Sequence, residues 1–321
     1  MNPHHIHRCQ RKQRGLSLAE LMVALAIGLL VLLFGAVLLQ SANRAYLSQI
    51  QRAGVDDNGR YAIDILTRAA RQASFVNFDS GEIGVGGNPT ASAGLVGLDN
   101  STLERKTDGI ADPRSDAVNG SDIFAVRFVG AGPAPDGDGS VISCAGFAVN
   151  AFEEGWSIFY VARNADGEAE LRCKYRGKSG WGADAVVSGV DTFQLLYGVD
   201  TDQPPDGIAN QFITATALDA LDAALVLSGD DAASRARDLR RRTYWKRVAS
   251  IRVALLLHGT RNTDTRRDDA MLFDLFGKSY GDAFARRDPG VRVNEADLPP
   301  PMRQRERKLF TATILLRNPS L

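Results

Sequence analysis

The sequence predicts an α+β fold: one long N-terminal helix, membrane-spanning in its first half, packed on an antiparallel sheet with large loop insertions. Three observations predict it. An apolar run of 24 residues, Leu16 to Leu39, holds a single charge, Glu20. The stretch after it keeps apolar residues three and four positions apart. Beyond residue 120 the chain turns to short β-branched and aromatic runs separated by Gly/Asp turns.

The apolar run sets the organisation. At about 1.5 Å per residue it is about 36 Å long as a helix, enough to cross a hydrocarbon core of about 30 Å with some tilt. Before it lies a basic leader, residues 1–15, with Arg8, Arg11, Lys12 and Arg14, ending in Gly15. Arg44 and Arg52 are sparse on the other side, so the N-terminus is expected in the cytoplasm and the globular part in the periplasm. A carboxylate in a membrane segment costs about 2.5–3.5 kcal/mol at the centre and less near an end. Glu20 lies about 6 Å along the helix from Leu16. A cut between Gly15 and Leu16 would free an α-amine to pair with it, in its own chain or a neighbour's, and would remove the basic leader. An ordinary secretory peptide has a shorter apolar region ending in small residues. Cys9 has no hydrophobic segment before it, so it is no lipidation cysteine, and it leaves with the leader.

The chain has 321 residues, 38 basic and 38 acidic. The leader removes four basic residues and no acid, leaving 34 against 38, formally −4. That balance excludes a chain built around nucleic acid. After the apolar run about 280 residues remain, enough for one large domain with insertions. The remaining cysteines, Cys144 and Cys173, suggest one disulfide in an oxidising periplasm. It would close a loop of about 30 residues and stabilise by about 3–4 kcal/mol; two separate buried thiols are the alternative.

Residues 16–40 form the membrane segment and 41–78 its amphipathic continuation, with Tyr46, Leu47, Ile50, Val55, Ile63, Leu66 and Ala70 in helical steps. Gly54 and Asn58-Gly59 are expected to kink or loosen the helix. A globular β-rich domain, 79–321, follows, with insertions at 79–120, 201–246 and 260–303. Residues 79–120 read as a long surface loop with one short strand. Strands are expected at 121–130, 141–149, 157–163, 169–177 and 190–200, with the two cysteines in the second and fourth, so that the bridge staples neighbouring strands. Residues 213–227 read as a helix and 230–247 as a charged helical connector. Strands at 247–259 and 307–318 close the domain around a polar insertion.

Basic leader, Gly15, hydrophobic residue, Glu at the fifth position, apolar helix: this order resembles the class III prepilin signal of type IV pilins and type II secretion pseudopilins. Leu16 departs from the Phe or Met more frequent there. DNGRYAIDILTRAARQASF, the Cys144/Cys173 pair, VDTFQLLYGVDTD, WKRVASIRVALLLHG and RKLFTATILLRNP together resemble the PilW group of minor pilins. The resemblance implies a pilin-like fold, cleavage after Gly15 by a prepilin peptidase, N-methylation of Leu16, and pairing of Glu20 with the amine of an adjacent subunit. It implies an inner-membrane precursor that moves to the pilus at the cell surface. Its partners would be other minor and major pilins and a pilus-tip adhesin. A minor pseudopilin of a type II secretion system shares the signal, although those subunits are usually shorter. A signal-anchored periplasmic enzyme or binding domain would instead keep its N-terminus uncleaved.

Catalytic chemistry finds little footing. After the leader the chain holds one histidine, His258, at the end of an apolar strand, which excludes His-pair metal sites. No phosphate loop, GxSxG or GxGxxG opens a helix. No cofactor is expected. Asp200, Asp202 and Asp206 offer hard oxygen ligands suited to calcium, but Pro204 and the missing terminal Glu break the EF-hand pattern, and a solvated turn is the alternative. Asp136 and Asp138 in PDGDG pose the same choice. The run SRARDLRRRTYWKR (234–247) interleaves Tyr244 and Trp245 with basic residues. It could hold phosphates or form a docking face for an acidic partner, and nucleic acid is the less favoured of the two.

Overall fold

The computed structural model describes residues 15, 17–75, 90–262 and 270–317. The leader to residue 14, Leu16, and the 79–89 and 263–269 parts of the insertions lie outside the described residues. The chain divides into two compact units, residues 1–50 and 51–321. Helix α1 runs Leu18–Gln72, 55 residues. In the first unit its apolar side chains face outward all round, from Leu18 at 78% exposure to Leu39 at 74%. It is long and apolar enough to cross a membrane.

In the second unit α1 becomes one-sided. Val55, Gly59, Ala62, Leu66, Ala69 and Ala70 are buried, in steps of three and four. The expected break at Gly54 and Asn58-Gly59 does not occur; the helix runs through both. Gly59 is instead a packing notch, because a Cβ there would overlap the ring of Phe310. Close approach to a strand offsets the helix-propensity cost of about 1 kcal/mol.

Two antiparallel sheets face this stripe, where the sequence suggested one. The first joins β1 (Leu95–Leu98), β2 (Ile123–Val129), β3 (Glu154–Arg163), β4 (Ala169–Gly177) and β5 (Gly180–Ser188) in that order. The second contains β6 (Val190–Val199), β7 (Gln211–Ile213), β8 (Val248–Asn262) and β11 (Arg305–Leu315), ordered β11-β8-β6-β7. Between β7 and β8 lie α2 (Ala215–Ala223) and α3 (Ala232–Arg242). Strands β9 (Leu272–Asp274) and β10 (Arg292–Asn294) pair with each other around α4 (Lys278–Phe284).

Alternation along the strands builds the core. Phe124 and Val126 of β2, Phe159 and Val161 of β3, and Leu171 of β4 join Leu66 of α1 in one apolar cluster. Phe193, Leu195 and Tyr197 of β6 and Val253 and Leu255 of β8 belong to the same cluster. The opposite faces are also covered. Leu103 and Ile110 lie on Ile123, Ile158 and Tyr160 of the first sheet. Leu275, Val293 and Leu298 lie on Ala254 and Leu256 of the second. So the described parts of the 79–120 and 260–303 insertions are lids on the sheets, and β6 is buried at every position.

Two strand expectations need correction. Residues 141–149 form a tight loop, not a strand: Ser143 N–H donates to the Phe147 carbonyl, and Gly146 turns the chain at φ +82°. Only Ile142 and Ala148 form an isolated bridge. The run is apolar because Val141 and Val149 anchor the loop in the core. Conversely, GWGADAVVS, whose glycines and Asp argue against a strand, forms β5, paired along its length with β4.

Candidate functional site

The head of α1 is built by Ser17 and Glu20. The Ser17 N–H donates to Glu20 Oε2 at 2.9 Å, and the Glu20 N–H donates to Ser17 Oγ at 3.2 Å. This is a reciprocal capping box. It satisfies two of the amide donors that a helix start leaves orphaned and sets the carboxylate at the positive end of the helix dipole. The acid inside an apolar segment therefore has partners within its own chain. Glu20 stands out in the sequence as a lone charge, while Ser17, its partner, is signalled only by the Ser-x-x-Glu spacing. Gly15 is exposed beside this turn; Leu16 lies outside the described residues.

At the start of the second unit, polar ties fasten α1 to the second sheet. Gln51 Oε1 accepts from the Thr260 N–H at 2.9 Å. Arg52 pairs with Glu306 at 3.3 Å and Asp56 with Lys308 at 2.5 Å. Arg52, Val55, Asp56, Glu306 and Lys308 line a groove of about 180 Å³ between helix and β11.

Cys144 and Cys173 are joined, with Cα atoms 6.0 Å apart. Because 141–149 is a loop, the bridge staples a loop to β4 and does not link neighbouring strands. Lys174, next to it on β4, is fully buried. Its Nζ donates to the Glu104 carbonyl at 3.0 Å and to Thr107 Oγ1 at 2.8 Å, so it pins the 99–117 lid. Burial pushes its pKa down to about 8. Nothing in the sequence distinguished this lysine from a solvated one.

Asp200, Asp202 and Asp206 do converge, with ligand atoms within 4.8 Å of one another. Their oxygens already hold the turn. Asp200 accepts from the Asp202 N–H at 2.9 Å and the Gly207 N–H at 2.6 Å. Asp206 accepts from the Ile208 N–H at 2.8 Å, and Asp202 from Asn210 Nδ2 at 3.0 Å. Asp138 likewise holds Ser140, and Asp136 pairs with Lys178.

His258 stands in a buried charge network. Its Nδ1 is 3.0 Å from Asp191 and its Nε2 3.2 Å from Glu168. Arg307 reaches Asp191 at 2.7 Å and Glu295 at 2.8 Å, and Arg305 reaches Glu168 at 2.7 Å. The network ties the β3–β4 turn, β6, β8, β11 and the last insertion together. The Arg305 guanidinium is the main cause holding Glu168 down at about 2.

The basic run divides in two. Trp245 is buried, its ring edge-on to Tyr197 at 4.9 Å, and its Nε1–H donates to Asp219 at 2.8 Å. Tyr244 is half-buried beneath the Arg247 guanidinium, 5.3 Å away. The arginines of α3 face solvent.

An apolar helix headed by a capped carboxylate, which then buries one stripe against antiparallel sheets, defines a pilin-type subunit. Two family models match the chain. That of the prokaryotic N-terminal methylation motif covers residues 10–36. That of the type IV pilus-assembly protein W covers residues 158–318, from β3 to the end of β11. The chain belongs to the PilW family of type IV pilus-assembly proteins, and is a minor pilin of type IV pilus assembly. No curated protein and no solved structure matches it. The family is structural, and the signal is the one processed by prepilin peptidase in subunits that interact with other pilins. The signal and the apolar helix together indicate a membrane anchor.

Proposed function

We propose that a prepilin peptidase cuts this chain between Gly15 and Leu16 and methylates Leu16, and that the subunit then passes from the inner membrane into a filament. Its globular domain waits in the periplasm before assembly. It primes the pilus together with other minor pilins, stays near the tip once major pilins are added, and there helps seat a large adhesin. The observation that carries this reading is the Ser17–Glu20 capping box at the head of an apolar segment exposed all round. An intrachain cap lowers the cost of storing the carboxylate in the membrane. The ammonium of a neighbouring subunit brings a full opposite charge where the cap amide brings only a dipole, which is the reason offered for leaving the bilayer for the filament.

The test is a pair of variants in piliated cells. Glu20→Ala is expected to be cleaved and membrane-inserted but to give few pili; normal piliation would refute the pairing. Gly15→Ala is expected to accumulate as precursor, and a band of mature size would refute the cleavage site.

A further inference from the structure

The fold engages only some of the arginines of α3. The helix carries five arginines and one aspartate in 11 residues and buries none of them. A helix this short is marginal in water without an apolar face to bury. It is nevertheless fixed at both ends. Asp231 caps it by accepting the Ser234 N–H at 2.6 Å, and Asp238 accepts the Ser228 N–H at 2.8 Å. Arg242 donates to the Val226 carbonyl at 2.6 Å and Arg235 to the Gly229 carbonyl at 3.2 Å. Two arginines thus fasten the helix. The other three, Arg237, Arg240 and Arg241, are exposed and make no ion pair among the described residues. Spaced three and four apart, they share one face, where like charges repel and destabilise the bare helix. Placing cations at a helix C-terminus is favourable. That accounts for Arg240 and Arg241 but not for Arg237, a turn earlier.

We propose that this face is a docking surface for an acidic segment of another polypeptide in the assembling pilus, whose carboxylates take the three guanidinium groups in bidentate pairs. Three guanidinium groups suit a carboxylate-bearing partner, the aromatic residues argue against single-stranded nucleic acid, and the formal charge of −4 on the chain after its leader argues against a duplex. Single-stranded nucleic acid is held by a basic groove together with bases stacked on exposed rings. Here Trp245 is spent in the core against Tyr197, and Tyr244 lies under Arg247. What remains is guanidinium alone on a pre-organised helix, so little ordering entropy is lost on binding. The docking rests on the assembly role proposed above, and it names the chemistry of one partner in that role.

The test uses the full chain in piliated cells. Arg237→Lys, Arg240→Lys and Arg241→Lys in one variant keep the charge and supply amines that a carbodiimide couples to carboxylates in contact. The expected result is a cross-link from one of these lysines to an Asp or Glu of another pilus subunit, located by peptide mass analysis. The matching triple Gln variant should fold with a melting temperature no lower than wild type, be processed normally, and give about tenfold fewer pili. Wild-type piliation in the triple Gln variant would overturn the proposal. So would a Lys variant that forms no carboxylate cross-link at α3 while its other lysines react, or retention of a DNA duplex that depends on the three arginines without such a cross-link. A wild-type chain that is never processed would undo the assembly role itself. A processed, piliated wild type beside a fully active triple Gln variant would undo the docking alone.

Discussion

Ser17 closes the head of α1. Its hydroxyl and the Glu20 carboxylate each satisfy a backbone amide of the other residue. Ser17→Ala removes one side of the box and should cost about 0.5–2 kcal/mol of helix-end stability. The expected outcome is normal cleavage with faster loss of the unassembled subunit from membranes, read by pulse-chase; unchanged turnover would show the cap to be idle. Lys174 allows a pH test. Burial lowers its pKa from 10.5 to about 8. Between those values the unfolded chain binds more protons than the folded one, so stability rises with pH across that window. Below about 8 both states are protonated and the burden is constant. Denaturant melts at pH 7.5 and 10 should therefore show wild type gaining on Lys174→Met as pH rises; parallel curves would contradict the buried ammonium. Residue roles were unevenly legible. Glu20 declared itself by being a lone charge in an apolar run. Lys174 and Arg307 did not, because a charge buried by a distant lid carries no local signal.

At the scale of elements, the junction of α1 with β11 is decided by a missing side chain. At Gly59 a Cβ would overlap the Phe310 ring, while at Gly54 it would meet nothing within 4 Å. Gly59→Leu should destabilise by about 1–3 kcal/mol through overpacking. Gly54→Ala should stabilise by about 0.5–1 kcal/mol. Thermal melts of the two variants should shift in opposite directions, and a neutral Gly59→Leu would contradict the close approach. The last insertion has its own pH response. Burial raises Asp288 to about 6, against the Tyr280 hydroxyl that donates to it at 3.0 Å. From about pH 4 to 6 the folded state binds more protons there, so this group's contribution to stability falls as pH rises through 6. Hydrogen exchange of residues 278–292 should be slower at pH 5 than at pH 7 after correction for intrinsic rates, and Asp288→Asn should remove the difference. Helical periodicity revealed the amphipathic half of α1, and β-rich composition revealed β2, β3, β4, β6, β8 and β11. Two strand signals misled. Residues 141–149 are apolar because they anchor a loop, and β5 is glycine-rich because an exposed edge strand needs little packing. That the insertions fold as lids could not be read, since their few apolar residues gain meaning only against a sheet.

Across the whole molecule, long-range ties hold segments that local sequence leaves free. The Cys144–Cys173 bridge spans 29 residues of sequence, and removing it with a double Ser variant should cost about 3–4 kcal/mol. The result expected is a lower denaturation midpoint with a slope that is the same or slightly steeper, because the released chain unfolds to a more open state; an unchanged midpoint would mean that the loop needs no staple. The His258 network joins both sheets and the last insertion. In the assembly proposed above, these ties would hold together the body presented on the filament, and α1 would supply the segment that enters it. The central step proposed for this molecule is conversion of a membrane-anchored precursor into a subunit with a free amine near Glu20. The measurement that tests this most directly is intact-mass and N-terminal peptide analysis of the protein from its native membranes and pili. A chain beginning at Leu16, carrying a methyl group on its amine, is the result predicted. A chain that still begins at Met1 in assembled pili would contradict it.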